Sequence, residues 1–90
     1  MNELTVYKLV EGVRAREESF GLLIVSKSTP ALSLNEDGKA VWTMINGENS
    51  VKDIIDEVSK QYKADSVRSK VIELIEGFEK LNLIEPVKSL

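Results

Sequence analysis

Leu34 divides this chain into two parts that follow different rules. Before it, apolar residues alternate with polar ones or run together in short blocks, as strands require. Beyond it they recur every three or four positions, which is the period of a helix. A chain with its strands first and its helices afterwards does not interleave them into a doubly wound sheet. The expected class is therefore α+β, a three-stranded antiparallel sheet followed by three helices, like a winged helix-turn-helix.

Within the first part, residues 4–10 show no clean period and read as either a loose arm or a short strand. "VRAREE" (Val13 to Glu18) sets Val13 and Ala15 against Arg14 and Arg16, as a half-buried strand does, with the two arginines on a solvated face. "EES" (Glu17 to Ser19) reads as a tight hairpin connection into "FGLLIVS" (Phe20 to Ser26), a block expected to be a central strand covered on both faces. Pro30 turns the chain, because the residue before a proline is pushed out of the helical region. "ALSL" (Ala31 to Leu34) then places Leu32 and Leu34 on one face of a third strand.

The second part opens with Asn35 as N-cap, followed by Glu36 and Asp37 at the positive end of the helix dipole. This marks a first helix from Glu36 to about Ile45 with Val41, Met44 and Ile45 inward. Trp42 reads as a cover over the edge of the core. Asn46 and Gly47 stop the helix. Ser50 and Asp53 resemble a capping box, opening a second helix with Val51, Ile54, Ile55, Val58 and Tyr62 on one face. "KAD" is the next break. Asp65 or Ser66 caps a third helix whose stripe is Val67, Val71, Leu74, Ile75, Phe78 and Leu81, and "NLIEPV" leaves it at Asn82 as an extended tail.

Composition decides between chemistry and binding. The 90 residues suit one domain, residues 1–90, and include neither cysteine nor histidine. Disulfides, thiolate nucleophiles, imidazole bases and the common zinc ligand sets are thereby removed. The carboxylates fall on exposed helix faces, where nothing shifts them toward acid–base work. The expectation is no catalytic residue, no metal and no cofactor. No apolar run approaches the roughly 20 residues of a membrane span, and the start lacks a secretory pattern, so a cytoplasmic protein is expected.

The arginine-bearing strand at Arg14 and Arg16, "GLLIV", "LSLN", "VW" at Val41 and Trp42, "NG" at Asn46 and Gly47, "SVKDIIDEV" and "FEKLNLI" together resemble the PqqD family. The resemblance spans residues 13–84, and the family's usual "DG" stands here as "NG". That family is the stand-alone RiPP recognition element, which captures the leader of a ribosomally made precursor peptide and delivers it to a modifying enzyme, a radical SAM maturase or similar. The resemblance implies that the leader adds as a strand to the third strand, in the cleft facing the third helix. Carried over by position, the site is Ala31, Leu32, Ser33 and Leu34, together with Val67, Arg68, Val71, Ile72 and Ile75. "ALSL" suits an open edge, since only Pro30 defends it. Taking Val67 as zero at 100° per residue, Val71, Leu74, Phe78 and Leu81 cluster within about 40°, leaving Ile75 near 80°, Arg68 near 100° and Ile72 near 140°. Those three form the expected rim, suited to an amphipathic, partly acidic peptide; the alternative is the other flank of the helix, around Lys70 and Gly77.

Two rivals come from other classes. A DNA-binding winged helix needs a basic recognition face. The third helix instead balances Arg68, Lys70 and Lys80 against Glu73, Glu76 and Glu79, in a chain of net charge -3. The composition does not exclude a purely structural subunit or dimerisation module, and it leaves room for a homodimer.

Overall fold

A computed structural model describes residues 1–63 and 65–88 of the chain. Its elements are β1 (Tyr7–Leu9), β2 (Arg14–Glu18), β3 (Gly21–Val25), β4 (Leu32–Leu34), α1 (Glu36–Trp42), α2 (Val51–Gln61), α3 (Val67–Lys80) and β5 (Ile84–Pro86). Strands β2, β3 and β4 form an antiparallel sheet in that order, so the class is α+β as expected, and the strand "ALSL" contributes is β4. The arm and the tail are not loose. They pair as a second, two-stranded ribbon, with Tyr7 opposite Pro86 and Leu9 opposite Ile84. The arm also serves α2, because the carbonyls of Glu3 and Thr5 accept the amides of Lys52 and Val51 at that helix's N-terminus.

The β2–β3 hairpin turns one residue later than "EES" suggests. Glu17 and Glu18 belong to β2, the connection is Ser19–Phe20, and Phe20 is 48% exposed. Leu22 and Ile24 face the core, while Leu23 is half-buried and Val25 exposed. The expectation of a strand covered on both faces is therefore corrected: the helices lie on one side of the sheet only.

The helices start where local chemistry says they should. Asn35 Oδ1 accepts the Gly38 amide at 3.0 Å, and Ser50 and Asp53 exchange both capping-box bonds at 3.1 and 3.0 Å. Helix α1 is shorter than expected: after Trp42 the amides of Met44 and Ile45 bond three residues back, which tightens the last turn. Trp42 lies inside the core, 4% exposed, edge-to-face on Phe78 with ring centroids 5.1 Å apart. Tyr62 caps α2 and is exposed, so it does not extend that helix's buried stripe. The break expected at residues 63–65 includes Ala64, which lies outside the described residues. Ser66 occupies the N-cap position of α3 without a side-chain capping bond.

Helix α3 ends in a Schellman motif. Leu83 N–H bonds the Phe78 carbonyl at 3.0 Å and Asn82 N–H bonds that of Glu79 at 2.9 Å, with Asn82 left-handed at φ 62°. Leu83 and Ile84 then return to the core. Tyr7 ties the ribbon to this helix by donating its hydroxyl to Glu79 Oε1 at 3.0 Å. Burial first, and then that carboxylate, push the phenol up to about 12.

Candidate functional site

Strand β4 is an edge of the three-stranded sheet, and beside it opens a groove of about 550 Å³. One wall is Leu32, Ser33 and Leu34. The other belongs to α3: Lys70, Glu73, Leu74, Gly77, Phe78 and Leu81. Asn35, Asp37 and Gly38 from the start of α1, and Phe20 from the hairpin turn, complete it.

The hairpin register determines which backbone groups face this groove. With a two-residue connection, Glu18 and Gly21 are the first directly bonded pair, and bonded pairs then alternate with non-bonded ones. Gly21, Leu23 and Val25 therefore turn their amides and carbonyls toward β2, and Leu22 and Ile24 turn theirs toward β4. Their partners there are Leu34 and Leu32. Consistently, the Leu34 carbonyl is aimed at β3, so close that a Cβ on Gly21 would lie 2.0 Å from its oxygen. Ser33 is thus left with its N–H and C=O pointing away from the sheet, while its neighbours' apolar side chains face the core side.

The structure separates the expected α3 residues from this groove. Val67, Val71, Ile75 and Phe78 are the buried stripe, and Ile75, expected on the rim, is 0% exposed. Ile72 is half-buried against the core on the far flank, and Arg68, beside it, pairs with Glu3 of the N-terminal arm. Of the two leucines expected in the core, Leu74 is half-buried against it and Leu81 is 40% exposed, and both line the groove. The core stripe is centred near 35° on the helical wheel, not near zero, and the groove lies near -60°. Of the nine residues proposed from sequence, Leu32, Ser33 and Leu34 line the groove; Ala31 precedes them and is exposed. Phe20, Leu74 and Leu81 are the functional candidates that sequence reasoning missed, while Lys70 and Gly77 belong to the flank it held as the alternative. The signal available was Gly77, a glycine inside a helix.

The groove's charges are Asp37, Glu73 and Lys70, so the partly acidic ligand expected from Arg68 loses its basis. A Lys39–Glu17 ion pair at 2.9 Å links α1 to β2, with mutual hydrogen bonding lowering the pKa of Glu17 and raising that of Lys39. Among the described residues no group of three or more His, Cys, Asp or Glu side chains could hold a metal ion.

The fold defines a small α+β domain with an open sheet edge beside a largely apolar groove, a geometry at which an extended peptide can add as a strand. The chain belongs to the PqqD family: the family model for coenzyme PQQ synthesis protein D matches residues 22–84, well over half its length. Among solved structures it is similar to TbiB1 in complex with the TbiA(beta) leader peptide, with TM-score 0.78 and 14% identity, over 91% of this chain and 99% of that one. It is also similar to the PqqD truncation of Methylobacterium extorquens PqqCD, described as a functional, stand-alone RiPP recognition element. That match has TM-score 0.72 and 21% identity, over 89% of this chain and 88% of the other. No curated protein matches.

Proposed function

We propose that this protein binds the leader segment of a ribosomally synthesised precursor peptide as a strand added to β4, and presents it to a modifying enzyme in the cytoplasm. The observation that carries the reading is the outward N–H and C=O of Ser33 on an edge above an apolar groove. Backbone pairing supplies affinity and the groove supplies register. Family membership supports it, as do the leader bound to TbiB1 and the recognition-element role given for the Methylobacterium protein. Chemistry belongs to the partner, for which a radical SAM maturase is the family's usual candidate. The residues that hold the leader in this reading are Leu32, Ser33 and Leu34 with Leu74, Gly77 and Leu81, while Ala31 extends the edge.

The test is a fluorescence-anisotropy titration with the leader of a precursor encoded beside this protein. Leu74→Glu puts a charge on the groove wall and removes the apolar surface against which a peptide side chain is buried. Burial of one such side chain contributes about 1.5–3 kcal/mol, so affinity should fall by roughly tenfold or more. Ile72→Glu lies on the opposite flank and should leave affinity unchanged. The reverse pattern would return the site to the Arg68 and Ile72 flank and contradict the proposal.

A further inference from the structure

Nothing among the described residues asks for glycine at position 77. The residue lies within α3, where glycine is disfavoured relative to alanine. Its φ is not positive, and a Cβ built on it meets nothing within 4 Å. Gly21 and Gly38 differ: their Cβ atoms would come within 2.0 Å of the Leu34 carbonyl and 3.2 Å of the Leu34 side chain. What a side chain at Gly77 would fill is the groove.

Leu74 and Leu81 stand three residues before and four after Gly77, on the same helix face. The three make an apolar ridge whose middle side chain is missing, a notch about 10 Å long measured along the axis between the flanking residues. Two aromatic rings, the exposed Phe20 and the core residue Phe78, also line the groove. In a strand paired through Ser33, the peptide residues on either side of the paired one project to the face shared by Leu32 and Leu34, toward this wall.

We infer that Gly77 is a specificity-determining residue: the notch admits one aromatic side chain of the bound peptide, its ring lying against the bare backbone of α3 between Leu74 and Leu81. This rests on the strand-addition reading. An aromatic occupant is favoured because the exposed Phe20 ring offers edge-to-face or offset contacts that an aliphatic side chain lacks.

The probe is a displayed library of random 12-residue peptides, selected on the wild-type protein and measured against Gly77→Leu, Gly77→Ala and Ser33→Pro. Selected peptides should share one aromatic position. Their affinity should fall roughly tenfold or more on Gly77→Leu and about threefold on Gly77→Ala. Both variants should melt at or above the wild-type temperature, since each is a better helix former; the alanine variant serves if leucine disturbs the fold. Changing the shared aromatic residue to alanine should cost the same factor on wild type and nothing more on Gly77→Leu. Peptides that lose affinity on Ser33→Pro but bind both Gly77 variants as well as wild type overturn the notch and leave strand addition standing. Peptides indifferent to all three variants overturn both, and a shared aliphatic position in place of an aromatic one overturns the ring preference.

Discussion

Gly21→Ala is expected to lower the melting temperature by at least about 10 °C and to release β4 from the sheet. The residue sits at φ +144°, and its new methyl group would lie 2.0 Å from the Leu34 carbonyl oxygen and 3.0 Å from two further backbone atoms. The sparsely populated backbone alone costs about 1–3 kcal/mol. The clash adds to it, because the obstructing atom is a carbonyl bonded into the sheet and cannot swing away like a side-chain end. At about 4–8 °C per kcal/mol for a domain of this size, a double-digit loss follows. Gly12→Ala is the control: Gly12 also has positive φ, +90°, but a Cβ there meets nothing within 4 Å, so only the backbone strain remains. Equal melting losses in the two variants would mean that the contact between Gly21 and Leu34 does not constrain the edge.

Ser33→Pro should separate binding from folding. Proline removes a ladder donor and is tolerated at an edge only when the lost N–H faced away from the sheet. The hairpin register gives Ser33 that orientation and gives Leu32 and Leu34 the opposite one. The variant should keep its circular dichroism and most of its stability. It should nevertheless lose at least about 1 kcal/mol of leader affinity with the hydrogen bond, roughly fivefold in Kd, and more from the ring's bulk against the incoming strand. Leu32→Pro, which removes an inward donor, should instead destabilise the sheet. Folded Ser33→Pro protein binding the leader as tightly as wild type would mean that side chains alone hold the peptide.

What the sequence revealed and what it concealed follow from the range of each interaction. The caps at Asn35 and Ser50 were legible because donor and acceptor lie three residues apart and need no tertiary information. The pairing of β1 with β5 was not, since three residues are too few to display a period and each strand's partner lies at the other end of the chain. The hairpin was misplaced by one residue because Phe20 resembles strand by hydrophobicity. Its neighbour Gly21, at φ +144° and first in β3, carries no pattern.

The phase of α3 failed for a more instructive reason. Its apolar residues, from Leu81 through Val67 to Ile72, cover about 180° of the helix, more than one core can bury. Either end of that arc could have been the surplus. Packing left Leu74 and Leu81 open to the groove, and on the other flank Arg68 pairs with Glu3 of an arm whose position the sequence did not specify.

The most direct test of strand addition is amide hydrogen exchange at Ser33, measured residue by residue with and without a saturating leader peptide. In the free protein the Ser33 amide should exchange quickly, while Leu32 and Leu34, bonded to β3, are already slowed. On binding, Ser33 should become protected by a factor that grows with the stability of the complex, and its two neighbours should change little. A tight complex in which Ser33 exchanges as fast as in the free protein would contradict the account, because the leader would then lie elsewhere than on the open edge of β4.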